Sequence, residues 1–404
     1  MIKKILAASF AVALIFSFAA CGYDDGGHGS FDFGKSASES QSESRQESSV
    51  KETLMEYDKY TLETYVNPFW DSKYMYNETM MFVGKDDCPS MLFTAEEVIS
   101  VRSYDLKTEY KEGKDYVIED NYIKLTPDTS IPYYTEEEYY PTTYKPGACF
   151  GCTRDDKNYI LFGEGDTFCK KQIAVTYRHS GWNKVPEIAD MSDRFSRSLE
   201  KLEKGKPLNV VFYGDSITTG ANSSGIIGVG PYAQSFPEMI VGWLEKKYPS
   251  SKITYVNTAV GGMNTKWGAD NVEQRVNAHN PDLVFIGFGM NDPSLAPSVY
   301  KEQIRSIIDS VKSALEETEI MLFSSILPNG EVAGFFGNQR LFEAELKDLA
   351  DELNGVGVAP ITSMHEYLLK TKRYYDMTGN NVNHPNDFLA RIYAQVILKS
   401  LNNA

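Results

Sequence analysis

A serine at the end of a buried strand is placed to act as a nucleophile, and Ser216 has that setting. The apolar run Val210-Val211-Phe212-Tyr213 leads straight into Gly214-Asp215-Ser216. That order puts the serine on the turn between a strand and the helix that follows. A serine hydroxyl is a weak nucleophile until a base takes its proton. The negative charge it builds on a carbonyl oxygen also needs aimed donors. The chain has five histidines. His28 lies in a polar tether, His179 in a β-rich stretch, His279 just before Pro281 and His365 in an apolar helical run. His384 stands in a loop, Asn380-Asn381-Val382-Asn383-His384-Pro385-Asn386-Asp387, ahead of the last helical segment. Candidate donors come from the paired glycines Gly261-Gly262, which can turn a bare N–H into a pocket, and from Asn291 in Gly289-Met290-Asn291-Asp292. Taken singly, these are also glycine turns, an Asn turn, and a helix cap at Asn386 or Asp387. Asp215 reads as the residue that holds the turn rather than as the acid of a triad.

The elements around these residues give them a common location. Past residue 186, strands and helices alternate. Strands are expected at 208–213, 253–257, 283–287, 320–327 and 356–361, and helices at 192–204, 231–248, 270–278, 297–317, 339–354 and 387–402. Such alternation makes a parallel sheet covered by helices on both faces. Ligands of such sheets bind beyond the carboxyl ends of the strands. The serine, the glycine pair and Asn291 all follow strands.

Residues 53–185 read differently. Short runs rich in Val, Ile, Tyr and Phe at 80–83, 98–104, 116–118, 122–125, 159–162 and 172–177 are separated by turn residues such as Gly163-Glu164-Gly165-Asp166. This predicts an all-β sandwich or jelly roll. Residues 132–144 are dense in Tyr and Glu, either a sugar-stacking surface or core. Cys88, Cys149, Cys152 and Cys169 are expected as disulfides or free thiols; the Cys149–Cys152 spacing also suits a zinc knuckle or a redox pair. No metal site and no cofactor are expected, since neither a phosphate loop nor a dinucleotide fingerprint occurs.

The first 52 residues read as export and tether. Lys3-Lys4 precedes an apolar run from Ile5 to Ala20 that is too short to span a membrane comfortably. It ends in small residues before Cys21 and resembles a bacterial lipobox, which implies lipidation of Cys21 and anchoring on the extracytoplasmic face of the cell membrane. Residues 22–52, rich in Ser, Glu and Gln, read as a disordered tether. A formal net charge of -16 excludes nucleic acid as a partner and leaves membrane contact to the anchor.

Gly214-Asp215-Ser216, Gly262, Gly289-Met290-Asn291-Asp292 and His384 occur in the order of the four motif blocks of the SGNH (GDSL) hydrolase superfamily, which residues from about 205 to 404 resemble. The resemblance implies a flavodoxin-like αβα sandwich. It makes Ser216 the nucleophile and His384 the base. The backbone N–H groups of Ser216 and Gly262 and the Asn291 amide become the oxyanion hole. Members usually carry Asp three residues before the histidine, where this chain has Asn381. Either the site runs as a Ser-His dyad, with a backbone or amide oxygen such as that of Asn381 orienting the ring, or a carboxylate from Asp376 or Asp387 substitutes. Trp267 either walls the pocket or belongs to the core. A β domain ahead of such a domain is similar to carbohydrate esterase family 2. That similarity implies release of O-acetyl groups from a polysaccharide such as xylan. The alternatives are a lipase, lysophospholipase or arylesterase, for which no long apolar loop is evident, and a non-catalytic glycan-binding surface lipoprotein.

Overall fold

Five apolar segments of the C-terminal half line up as one parallel sheet in a computed structural model of the chain, which describes residues 52–155, 157–181 and 185–402. The leader, Cys21 and the tether up to residue 51 lie outside the described residues. Seven strands precede the parallel sheet: β1 (Tyr74–Met81), β2 (Ala95–Ser103), β3 (Tyr116–Glu119), β4 (Tyr122–Leu125), β5 (Cys149–Gly151), β6 (Tyr159–Leu161) and β7 (Gln172–His179). The sheet itself contains β8 (Leu208–Gly214), β9 (Ile253–Asn257), β10 (Leu283–Gly287), β11 (Glu319–Phe323) and β12 (Val356–Ala359) in the order β12-β11-β10-β8-β9. Every neighbouring pair in it is parallel.

Side chains alternate across this sheet, and both faces are apolar, so it is covered on both sides. Val210, Phe212, Phe285 and Met321 join a core with Phe236, Ile240, Phe388 and Ile392 of the helices Phe236–Lys247 and Asp387–Ser400. Val211, Tyr213, Val284 and Leu322 face Ile304, Ile308, Phe342 and Leu346 of the helices Pro297–Ala314 and Gln339–Glu352. The result is the flavodoxin-like αβα sandwich. Its chain order reverses between β8 and β10, the switch point where such sheets open a crevice.

The N-terminal region is built from antiparallel strands, in keeping with its all-β reading. β7 lies between β1 and β2, while β3–β4 and β5–β6 form two separate ribbons. β1 and β7 are buried along nearly their whole length. Met75, Val101 and Val175 sit in the same core as Phe388 and Ile392, so the three-stranded sheet packs on the last helix of the C-terminal half. Residues 52–402 therefore make one packed body. Polar ties reinforce this. Lys372 Nζ lies 2.5 Å from Glu78 Oε1 with both side chains fully buried, and Tyr177 donates to the other Glu78 oxygen at 2.6 Å. Asp376 accepts from the Met81 backbone N–H at 2.9 Å. Asn386 caps the last helix and also donates to Thr79 and Gln172.

The four described cysteines carry free thiols. Among the described residues, no cluster of His, Cys, Asp and Glu could hold a metal ion, and no helix is long and apolar enough to cross a membrane.

Candidate active site

Close contact between β8 and β10 sets the position of Ser216. A Cβ on Gly214 would run into the Gly287 carbonyl and the Thr218 hydroxyl. Asp215 is buried. Its N–H donates to Gly287 O at 3.3 Å, and its carboxylate accepts from the Ile217 N–H at 2.9 Å. Burial pushes this carboxyl up to about 7. It holds the turn from below, as its neighbours in the sequence suggest. The segment after Ser216 is a run of turns rather than the helix anticipated there; the first helix to follow is Ser224–Ile227. Val260 N–H donates to Gly214 O at 3.0 Å, and Asn257 Nδ2 to Thr218 O at 2.7 Å, so the loop after β9 is fastened to the serine turn.

That loop carries the glycine pair. Gly262 has φ +76 with nothing near where a Cβ would be, so conformation rather than space calls for glycine. Gly261 lies against the serine, the site of its absent Cβ being 3.7 Å from Ser216 Cβ. The loop after β10 is tied to the same place. Asn291 Nδ2 donates to Met263 O at 2.9 Å, and Asp292 accepts from the Thr265 N–H at 3.1 Å and from its hydroxyl at 2.7 Å. One N–H of the Asn291 amide is thus committed to fixing its orientation, which leaves the other for a ligand.

His384 approaches from the opposite side. Asn380 Oδ1 accepts from the N–H groups of Val382, Asn383 and His384, each at 3.0 Å, and so folds the loop around itself. His384 Nε2 lies 2.9 Å from Ser216 Oγ. Its Nδ1 lies 2.7 Å from Asn222 Oδ1 and 3.4 Å from Glu164 Oε2. Asn222 Nδ2 donates to Gly379 O at 3.3 Å, which turns its oxygen toward the ring. Both groups facing Nδ1 are acceptors, so the proton sits on Nδ1 and Nε2 offers its lone pair to the serine. Burial pushes the Glu164 carboxyl upward, but hydrogen bonds from His384, Asn380 and Asn222 outweigh it and hold it below the usual value.

The partners considered for the histidine are elsewhere. Asn381 is buried at φ 68 with its amide engaged elsewhere: Oδ1 accepts from Tyr139 at 2.9 Å and from Asn329 at 3.2 Å, and Nδ2 donates to Leu161 O at 2.9 Å. It joins the loop to the N-terminal region and does not reach the ring. Asp376 is spent on Arg373 and the Met81 N–H. Asp387 accepts from the Ser224 N–H at 2.8 Å, while Asn386 does the capping. Trp267 packs on Tyr213 at 6.0 Å beneath the Arg275 guanidinium, contacts that belong to helix–sheet packing. Sequence reasoning missed Asn222 and Glu164. The first is one of several Asn and Ser residues in a flexible-looking loop. The second is the acidic member of an ordinary Gly-Glu-Gly-Asp turn.

Residues 212–392 match the model of the GDSL-like lipase/acylhydrolase family. No curated relative matches the chain. Among solved structures, a two-domain esterase active on acetylated mannans is 21% identical over 53% of this chain and 55% of its own, with a TM-score of 0.43. This chain thus spans about half the length of that structure. The acetylxylan esterase Axe2 from Geobacillus stearothermophilus is 21% identical over 48% of this chain and 94% of its own, with a TM-score of 0.41. LAE5, an α/β hydrolase from the metagenome of Lake Arreo, is 17% identical over 48% and 95%, with a TM-score of 0.40.

Proposed function

We propose that this protein, whose residues 212–392 match the GDSL-like lipase/acylhydrolase model, is a carboxylic ester hydrolase that removes acetyl groups from polysaccharide. The observation that carries the reading is the 2.9 Å approach of His384 Nε2 to Ser216 Oγ, with acceptors facing Nδ1. Ser216 attacks the ester carbonyl and gives its proton to His384. The oxyanion is met by the N–H groups of Ser216 and Gly262 and by the second N–H of Asn291, each such donor contributing about 3 kcal/mol. His384 then gives that proton to the sugar oxygen as the C–O bond breaks, which leaves the acetyl group on Ser216. A water deprotonated by the same ring releases acetate.

The exposed Glu164 carboxylate, backed by the buried amides of Asn222 and Asn380, suits a small acyl group and a hydroxylated leaving group better than a long alkyl chain. Phe162, two positions before Glu164, meets Phe150 at 4.9 Å, and Phe150 meets Phe335 at 5.1 Å. These half-buried rings pack against a cluster that includes Val382 of the histidine loop, and an aromatic face there suits a sugar ring. Acyl chains on Cys21 would hold the enzyme on the extracytoplasmic face of the cell membrane, and loss of lipid labelling in Cys21→Ala tests that.

The decisive assay is acetate release from acetylated mannan and acetylated xylan, with Ser216→Ala as control. A loss of about 10³-fold or more is expected in the variant. Rates indifferent to Ser216 would sink the esterase reading. Preference for octanoyl over acetyl p-nitrophenyl esters would favour a lipase.

A further inference from the structure

We propose that two residues divide at His384 the work usually done by one aspartate: Asn222 orients the ring, and Glu164, from the N-terminal region, supplies the negative charge that supports the imidazolium. The proposal rests on the esterase reading of Ser216 and His384. Asn222 has the shorter contact, 2.7 Å against 3.4 Å, but an amide brings no charge to the protonated ring. Glu164 has the charge and is held in register with the ring. Asn380 Nδ2 donates to its Oε1 at 3.0 Å, and Asn380 Oδ1 accepts from the His384 N–H at 3.0 Å. One asparagine therefore fixes both the carboxylate and the histidine it faces. Gly379 allows the third partner in, since a Cβ there would collide with Asn222 Cβ.

The ionisable groups facing the ring come from two elements. Glu164 lies on the turn after β6 and Asp215 on the turn after β8. Asp215 is buried beneath the serine and bonded to Ile217; Glu164 is the carboxylate aligned with Nδ1. Among the described residues no lysine or arginine hydrogen-bonds to Glu164 or His384. The Glu164 side chain is 51% exposed and that of His384 13%. Solvent therefore screens this pair, and salt weakens it further. An aspartate enclosed at the usual position would be far less sensitive to salt. In this chain the charge behind the catalytic base is on the surface and belongs to the other half of the molecule.

The test compares wild type with Glu164→Gln, Asn222→Ala and the double variant Asn222→Asp/Glu164→Gln. Initial rates on p-nitrophenyl acetate are taken from about pH 5 to 9 at low and high salt. In parallel, NMR follows the titration of the His384 ring. Glu164→Gln is expected to lower kcat about 10-fold with KM nearly unchanged. Removing the anion destabilises the imidazolium, so the acid limb and the ring titration both move to lower pH. Salt moves the wild-type limb in the same direction and leaves the Glu164→Gln limb in place. Asn222→Ala loses rate but keeps the salt response. The double variant, with a carboxylate at 222, regains rate and raises the titration. A Glu164→Gln enzyme whose acid limb, ring titration and salt response equal those of wild type overturns the proposal. If the ring titration shifts but no Ser216-dependent rate exists in any form, the esterase reading fails while the electrostatic pairing stands.

Discussion

Ser216 and His384 meet at 2.9 Å, yet they are held in place by different parts of the molecule. The serine rests on the parallel sheet. Its turn is fastened to the ends of β9 and β10 by backbone bonds within the hydrolase-like half, such as Val260 N–H to Gly214 O and Asp215 N–H to Gly287 O. The histidine loop, residues 378–385, leans on the N-terminal region. Tyr139 and Leu161 grip Asn381, Glu164 meets the ring, and the segment just before it is bolted to β1 through Glu78 and Met81. One half of the pair is therefore a local consequence of sheet topology. The other depends on contacts that span about half the chain, and its position reports on the packing of two regions.

If that contrast is right, damage far from the chemistry should separate the two sides. The largest effect is expected from Glu78→Gln, which leaves the Lys372 ammonium buried without its anion. Unfolding free energy should fall by about 3–5 kcal/mol, read by urea denaturation; a loss below about 1 kcal/mol would mean that the β1 anchor matters little. Next comes Asn381→Asp, which restores the usual family residue at the cost of facing a carboxylate to the Leu161 carbonyl that now accepts an N–H. Stability should drop by about 1–3 kcal/mol with no gain in kcat. A stable and faster enzyme would show that position 381 can reach the ring after all. On the serine side, Gly262→Ala forces a Cβ into left-handed backbone, costing about 1–2 kcal/mol. It should lower kcat by displacing the N–H while KM and the ring titration of His384 stay as they are. If Gly262→Ala shifts that titration, the two sides are coupled more tightly than the contacts suggest.

The smallest effect concerns pH. Burial pushes the Asp387 carboxyl up to about 6 from an ordinary 3.8. The folded state then binds this proton more firmly than the unfolded chain does. Its contribution to stability is present below the ordinary value and is lost as pH rises through about 6. Asp387→Asn retains an acceptor for the Ser224 N–H, so its melting temperature should fall less between pH 5 and 8 than that of wild type. An equal or steeper fall would place the titrating group elsewhere.

How much of this was legible in advance follows the same division. β10 coincides with the apolar run at 283–287, since a strand buried on both faces needs unbroken apolar sequence, and β9 with the run at 253–257, although it is an edge strand whose Thr254 and Tyr255 stay exposed. The helix Thr265–Arg275 begins earlier than its apolar spacing suggests because Asn264 caps it, accepting from the Trp267 N–H at 2.9 Å. The three-residue strand β5 has too little pattern of its own to be seen, whereas the apolar helical run around His365 is the short helix Ile361–Leu368. At the site, Ser216, Gly262, Asn291 and His384 could be read because each stands at the end of a recognisable segment. Glu164 could not, because it reaches the histidine across 220 residues, and nothing in a Gly-Glu-Gly-Asp turn indicates what it will face. Asn381 misled for the converse reason: its position in the motif pointed to the histidine, whereas its side chain serves the neighbouring region.

The short helix Leu62–Val66 and the residues beside it have a practical bearing. Tyr60 donates to Gln234 at 2.9 Å, and Gln395 of the last helix donates to the Tyr65 and Asn67 carbonyls, each at 2.8 Å. A truncation near residue 186 would strip this strap from the C-terminal half and expose Phe388 and Ile392, which now pack in a core shared with β1, β2 and β7. For fusion or display, the transplantable unit starts ahead of Tyr60. A shorter, supposedly catalytic fragment would arrive with a greasy flank and an unsteadied base, and its failure to work would say nothing about the chemistry of the intact chain.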